Sequence, residues 1–155
     1  MKIFLFLIII TITAFGQKKP DDFGYKHLTF GFKNTLVDVL IKSKKGEENV
    51  QKPLFFFCQG SMPQPLLKYD GAGLYNTFPF NEEDFLNDFH LVIIGKPGVP
   101  EISDVKDLKQ NFQFLLENES VPSKYSDTNY LDYYVTQNNY ISNQLWKKNG
   151  LQKAN

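Results

Sequence analysis

The sequence predicts an α/β fold, in which an antiparallel hairpin is followed by parallel strands covered by helices. Residues 54–58 and 89–95 support this class, because each forms a short apolar run bounded by turn residues. Such runs are typical of strands that are buried on both faces of a parallel sheet. The loop and short helix between them would form the crossover connection that parallel strands require.

The first apolar run lies within residues 52–65, which read KPLFFFCQGSMPQP. We expect it to be a strand at the centre of the sheet, because neither of its faces carries a charge. A buried helix is the structural alternative, but the run is short, and Pro63 and Pro65 prevent its extension. The loop that begins at Gln59 would leave the carboxyl end of the strand, where α/β proteins usually bind ligands.

The first 16 residues predict a signal peptide. Lys2 precedes an almost wholly apolar run, and the small residues Ala14 and Gly16 suit cleavage before Gln17. The run is shorter than the roughly 20 apolar residues that cross a bilayer. We therefore expect an exported protein, periplasmic or extracellular, with no stable membrane span after cleavage. A buried N-terminal strand or helix is the alternative.

A hairpin is predicted next, after an exposed lead-in over residues 17–25. Residues 26–32 alternate between apolar and other side chains, and residues 36–41 are rich in apolar and β-branched residues. The three residues between these segments, Lys33, Asn34 and Thr35, suit a tight turn.

Residues 66–81 show neither helical nor strand periodicity, so the sequence predicts a long ordered loop folded over the sheet. Its aromatic side chains either cover the sheet edge or contact a ligand, and the sequence leaves both open. These aromatic residues are Tyr69, Tyr75, Phe78 and Phe80. Asn81, followed by three acidic residues, predicts the start of a short helix.

Two helices are predicted in the last third of the chain. Residues 103–118 place Leu108, Phe112 and Leu115 at helical spacing, with Ser103 or Asp104 as the cap. A loop is expected over residues 119–126. Asp127 would then cap a last helix that ends near Gly150.

Composition excludes several functions. The 155 residues suit one domain, and 17 lysines balance 17 acidic residues without any arginine. No basic block is dense enough for nucleic-acid binding, so we expect no nucleic-acid partner. The acidic residues Glu82, Glu83 and Asp84 could serve an unrelated enzyme, but a helix N-terminus explains them.

Cysteine and histidine give no sign of a metal site. Cys58 is the single cysteine, which excludes an intramolecular disulfide and a cysteine-based zinc cluster. We expect burial in the core strand to protect its thiol. His27 and His90 are far apart in the sequence and lack metal-ligand spacing, so neither a metal nor another cofactor is expected.

Two segments give this chain a resemblance to the N-terminal part of the α/β-hydrolases, of the secreted bacterial serine esterase or peptidase type. They are residues 55–61, FFFCQGS, and residues 92–98, VIIGKPG. The resemblance covers about residues 25–150. The first segment occupies the position of the family's His-Gly-x loop, with Gln59 where histidine is usual.

The resemblance implies a role for Gly60 and Ser61 in an oxyanion loop. The backbone N–H of Ser61 would donate to the developing oxyanion, and Gly60 would let the chain approach the substrate closely. The alternative is that Gly60 and Ser61 form only the turn that ends the strand.

The resemblance also implies a nucleophilic serine in a G-x-S-x-G elbow, followed by an acid and a histidine. Ser61 comes nearest, but Met62 and Pro63 follow it, and no glycine stands two residues before it. We therefore expect the triad to lie beyond Asn155. Residues 26–155 would be an incomplete α/β-hydrolase domain, inactive alone and with an unpaired apolar sheet edge.

The complete enzyme would hydrolyse an ester or peptide bond of a small-molecule substrate. The alternative function is a short exported binding or interaction module that uses the aromatic segment over residues 66–81 as its surface loop.

Overall fold

The computed structural model describes residues 17–75 and 78–149, so the predicted signal peptide over residues 1–16 lies outside the described part. The described chain has the mixed sheets and helices of an α/β-type fold, with a four-stranded sheet and a three-stranded sheet. The strands are β1 (Tyr25–Phe32), β2 (Thr35–Lys42), β3 (Leu54–Phe57), β4 (Leu67–Asp70), β5 (Gly73–Tyr75), β6 (His90–Ile94) and β7 (Ile102–Asp104). The α-helices are α1 (Ser123–Ser126) and α2 (Leu131–Asn149).

The predicted hairpin is confirmed. Strand β1 pairs antiparallel with β2, from Tyr25 opposite Lys42 to Phe32 opposite Thr35. Lys33 adopts a left-handed conformation in the turn. The lead-in is only partly exposed, because Pro20–Phe23 forms a 3-10 helix with a buried proline.

The predicted parallel pair is also confirmed, since β3 and β6 run parallel with Leu54 opposite His90. The strand order is β1-β2-β6-β3, so β6 is central and β3 lies at the edge. The prediction of a central β3 is therefore wrong, and all four of its residues are only half-buried. Cys58, which follows β3, is exposed rather than protected in the core.

The two faces of the larger sheet pack against different partners. On one face, Leu91 and Ile93 of β6 belong to a core cluster against which the partly buried Phe78 and Phe80 pack. On the other face, Val92 packs with residues of α2. The α2 residues of that second cluster are Tyr133, Ile141 and Leu145. Both faces of β6 are therefore covered, which explains why its residues from Leu91 to Ile94 are all apolar.

The prediction of a long loop over residues 66–81 is wrong. Strands β4 and β5 form a short antiparallel pair, and β4 also pairs parallel with β7. Strands of four and three residues are too short to show a period in the sequence. The Asn81 cap is confirmed, because its side chain accepts a hydrogen bond from the Glu83 N–H at the start of a 3-10 helix, Glu82–Asp84.

The prediction of a helix over residues 103–118 is wrong as well. This segment contains the end of β7 and two 3-10 helices, Val105–Asp107 and Gln110–Phe112. Asn111 and Phe112 have positive φ angles, which an α-helix cannot include. Asp104 does cap, since its side chain accepts from the Lys106 N–H.

The last predicted helix is confirmed in α2, but its start differs. Residues 123–126, predicted as loop, form the separate helix α1, and Asp127 is the residue that ends α1 rather than the cap of α2. The main chain turns at Asp127 and Thr128, and α2 begins at Leu131.

Candidate functional site

A cavity of about 460 Å³ lies where β3 and β6 end, next to the first turns of α2. Its walls come from three parts of the chain: the end of β3 with its following loop, the end of β6, and residues 129–138. The lining residues are Phe57, Cys58, Gln59, Gly60, Ser61, Ile94, Gly95, Lys96, Asn129, Tyr130, Leu131, Tyr134, Val135, Gln137 and Asn138. This is the carboxyl end of a parallel strand pair, where open α/β sheets bind ligands.

The loop over residues 59–65 is held in place through its main-chain carbonyl groups. The Tyr125 hydroxyl donates to the Ser61 carbonyl, and the Phe114 N–H donates to the Pro63 carbonyl at 2.8 Å. The carbonyl of Pro65 accepts from the side chain of Gln59 at 3.1 Å. Two of these contacts come from distant parts of the chain and one lies within the loop, and together they make the loop a fixed wall of the cavity.

Gly60 and Ser61, the two residues that the sequence predicts as a site, both line this cavity. Among the described residues, nothing accepts a hydrogen bond from the N–H groups of Gly60 and Ser61. A Cβ atom built at Gly60 would have no neighbour within 4 Å. Protein packing therefore does not require glycine at this position.

Lys96 is the one charged side chain among the described residues that line the cavity. It follows β6 and is 8% exposed, and its ammonium donates a hydrogen bond of 2.5 Å to the Met62 carbonyl. Burial, together with the nearby charge of Lys68, lowers the pKa of Lys96 to about 8.

Lys68 is a second buried lysine that contacts the same loop. It lies in β4, has no exposed surface, and donates to the Pro65 carbonyl at 3.2 Å. Burial lowers its pKa to about 8. Across the described residues, neither Lys68 nor Lys96 forms an ion pair with a carboxylate.

The wall contributed by α2 is mostly apolar. Leu131 and Val135 of α2, together with Tyr130 just before it, are large exposed side chains, and Leu131 is 76% exposed. Burial and then the neighbouring tyrosines raise the pKa of Tyr134 to about 12. Its hydroxyl donates to Asn129 at 3.1 Å. At neutral pH this wall is therefore uncharged.

Two glutamine side chains have fixed orientations at the cavity. Gln137 donates through Nε2 to the Gly95 carbonyl at 3.2 Å, and Gln59 donates to Pro65. In the described part of the chain, the Oε1 atoms of both are buried without a hydrogen-bond partner. Cys58 Sγ accepts from the Asn138 amide at 3.6 Å.

The remaining candidates are used structurally. His27 lies 2.8 Å from Asp38, and His90 contacts Ser43 and the Val50 carbonyl, both at 2.8 Å. No group of three or more His, Cys, Asp or Glu side chains that could hold a metal occurs in residues 17–75 and 78–149.

Of the acidic residues proposed for an unrelated enzyme, Glu82 is buried, whereas Glu83 and Asp84 are exposed. Glu82 accepts from the Tyr25 hydroxyl and from Lys42, the latter at 2.7 Å. Lys42 also lies 3.1 Å from Glu83. These contacts therefore join the 3-10 helix to the hairpin.

The aromatic residues of the 66–81 segment mostly face the protein. Phe78 and Phe80 pack on Phe57, with ring centroids 5.0 and 5.6 Å away. Tyr69 contacts Phe23. Among the described aromatic side chains of this segment, only Tyr75 is exposed.

Sequence reasoning did not single out Lys68 and Lys96 as site residues. A signal was present, because Lys96 follows the uncharged run LVIIG over residues 91–95 and Lys68 directly follows two leucines. A lysine in such surroundings is costly to bury, and the cost needs an explanation.

No family model, curated protein or solved structure matches this chain. The class is therefore set by the architecture alone, an α/β-type chain with a cavity at the carboxyl ends of its parallel strands. Within the part that the structure describes, no helix has the length and apolar character needed to cross a membrane.

Proposed function

We propose that this chain supplies the oxyanion-loop half of an exported α/β-hydrolase that cleaves ester or peptide bonds. The observation that carries the proposal is the position of Gly60 and Ser61 in a cavity at the ends of the parallel strands β3 and β6. Backbone N–H groups fixed in such a place can stabilise the charge that develops on an acyl oxygen.

The sheet supports the proposal at the level of architecture. An antiparallel hairpin leads into a parallel strand pair, as the resemblance to α/β-hydrolases implies. A fold of this kind hosts many chemistries, so the functional argument depends on the loop and not on the sheet.

The loop has the rigidity that oxyanion binding needs. The Ser61 carbonyl is held by Tyr125 and the Met62 carbonyl by Lys96, while the N–H groups of Gly60 and Ser61 have no acceptor among the described residues. Donors that are already oriented lose little energy to reorganisation during the reaction.

The free edge of β3 supports the proposal as well. Within the described residues, β3 pairs only with β6. Leu131 and Val135 of α2 have exposed side chains and line the cavity together with Phe57 of β3. A further parallel strand paired with β3 would bring a nucleophile at its carboxyl end close to the loop.

In this scheme the nucleophilic serine attacks the acyl carbon, and a histidine accepts its proton. The oxygen of the acyl group becomes negative and accepts from the Ser61 N–H. No serine in the 155 residues has the G-x-S-x-G context, so this chain alone should not perform the reaction.

The first test is sequencing of the transcript beyond the codon for Asn155. We expect a strand followed by G-x-S-x-G in one of the three reading frames. If none of the frames encodes such an elbow, the proposal is rejected.

The second test is hydrolysis of p-nitrophenyl butyrate by the full chain. We expect the rate to equal that of the heat-unfolded chain. Hydrolysis by the folded chain that a fluorophosphonate abolishes would show that this chain contains its own nucleophile, against the proposal.

A further inference from the structure

We propose that the cavity binds an apolar carboxylic acid, with its carboxylate at Lys96 and its hydrocarbon part against the wall formed by α2. The ligand would occupy the same cavity as the proposed oxyanion loop, and its role as a reaction product rests on the proposed function. The substrates would then be esters or amides of apolar carboxylic acids.

The charge of the cavity is positive and comes from a lysine. Among the described residues that line it, Lys96 is the one charged side chain. Lys68, which does not line the cavity, is near enough to repel the Lys96 charge. Buried charges are normally paired, and two neighbouring cations without a carboxylate leave an unbalanced positive charge.

The Lys96 ammonium has more hydrogen-bond donors than the described residues provide acceptors for. A lysine ammonium has three N–H donors. In the described part of the chain, Lys96 has the Met62 carbonyl as its one acceptor. A carboxylate beside Lys96 would accept a further hydrogen bond and balance the charge, which makes such a hydrogen bond stronger than one between neutral groups.

The cavity also has apolar side chains on two sides and a volume that suits a small ligand. Phe57 and Ile94 line the cavity from the sheet, and Leu131 and Val135 line it from α2. A volume of about 460 Å³ suits a small organic molecule. A highly charged ligand such as a phosphate ester would find one cation and an apolar wall, so a single carboxylate on a hydrocarbon fits better.

The acid would be the product of the proposed reaction. The serine oxygen bonds to the acyl carbon, the bond to the leaving oxygen or nitrogen breaks, and the histidine passes the serine proton to that atom to give the alcohol or amine. Water then adds to the acyl carbon, the bond to the serine oxygen breaks, and the serine regains a proton through the histidine. The acid then releases a proton to solvent, and its carboxylate pairs with the Lys96 ammonium.

The test measures binding of sodium decanoate to the full chain by isothermal titration calorimetry, at concentrations where decanoate does not form micelles. Decanol, which has the same hydrocarbon chain without the charge, is the matched ligand. We expect decanoate to bind at least tenfold more tightly than decanol. Equal affinities, or no binding of decanoate, would overturn the proposal.

The matched variants are Lys96→Met and Lys106→Met, because Lys106 is an exposed lysine away from the cavity. We expect K96M to lose at least tenfold in decanoate affinity and K106M to keep the wild-type value. An unchanged affinity in K96M would also overturn the proposal.

A variant at an exposed position guards against misfolding of K96M. Leu131→Asp places a negative charge on the apolar wall at a side chain that is 76% exposed. We expect L131D to fold and to bind decanoate more weakly, and wild-type affinity in a folded L131D would contradict the proposed position of the hydrocarbon.

These results are separable from the hydrolase tests, because binding needs no nucleophile. Decanoate binding without an encoded elbow would reject the hydrolase and keep the ligand class. An encoded elbow without decanoate binding would keep the hydrolase and reject the ligand class.

Discussion

The Tyr125 hydroxyl donates a hydrogen bond to the main-chain carbonyl of Ser61, although the two residues are 64 positions apart. Tyr125 lies in α1 and is 5% exposed, so its ring is fixed by packing. The short helix α1 therefore helps to determine where the loop after β3 lies.

Tyr125→Phe should loosen this loop and keep the ring in place. Loss of one partly buried hydrogen bond should lower the free energy of unfolding by about 1 kcal/mol. Urea denaturation measures this loss, and hydrogen exchange should increase over residues 60–63. Tyr140→Phe, at an exposed position, is the control and should change neither. Equal exchange in both variants would show that Tyr125 does not hold the loop.

The buried lysines should make the chain more stable at mildly alkaline pH. Lys68 and Lys96 have folded-state pKa values of about 8, whereas an unfolded lysine titrates near 10.4. Between pH 8 and pH 10 the unfolded chain therefore binds more protons, and stability rises with pH. We expect a gain of about 1 to 2 kcal/mol per lysine from pH 7 to pH 9.5.

Urea denaturation across this pH range measures the gain. Lys68→Met and Lys96→Met should each lose about half of it, and Lys106→Met should keep it whole, since Lys106 is exposed. A flat profile in the wild-type chain would mean that both ammonium groups have aqueous surroundings.

Gly95→Ala should be strongly destabilising. A Cβ atom at Gly95 would lie 2.9 Å from the Asp38 carbonyl oxygen, which belongs to β2 and also accepts from the Gly95 N–H. Backbone cannot move aside without disturbing the β2–β6 pairing, so we expect a loss of about 1 to 3 kcal/mol.

The matched control is Gly31→Ala in β1, where a Cβ atom has no neighbour within 4 Å. Its free energy of unfolding should stay unchanged or rise by up to about 1 kcal/mol. If both alanine variants had the same stability, the close approach at Gly95 would not exist in solution.

Cys58 should react in the folded state. It is exposed and lines the cavity, so a thiol reagent such as DTNB should modify one thiol per native chain without denaturant. A bulky maleimide on Cys58 should also occupy part of the cavity and reduce decanoate binding. A thiol that reacts only after unfolding would support the burial that the sequence predicts.

The hairpin, the parallel pair and α2 could be predicted from sequence because each has a period or a turn with a local cause. Strands β1 and β2 have eight residues each, and Lys33 and Asn34 form the turn between them. In contrast, β4 and β5 have four and three residues, and no pattern can be read over such lengths.

The helix predicted over residues 103–118 shows how spacing can mislead. Leu108 and Phe112 have helical spacing, but Phe112 packs on Tyr75 and Phe114 bonds to the loop at Pro63. Contacts with distant residues determine this segment, and a periodicity argument cannot include them.

The site was predictable only in part. Gly60 and Ser61 follow an apolar strand, which is the local signal that marks them in the sequence, and both line the cavity. The contributions of α2 and Lys96 depend on which helix covers which strand end. The prediction of a central β3 was wrong for a similar reason. Aromatic rings, and not a second neighbouring strand, cover β3, and an apolar run in the sequence does not distinguish these two cases.

The rings of Phe78, Phe80 and Phe85 gather around Phe55 and Phe57 and so anchor the outermost strand through one of its faces. Its outward main-chain groups take no part in this anchoring. Growth of the sheet on that side would consequently require no pair among β1, β2, β6 and β3 to separate.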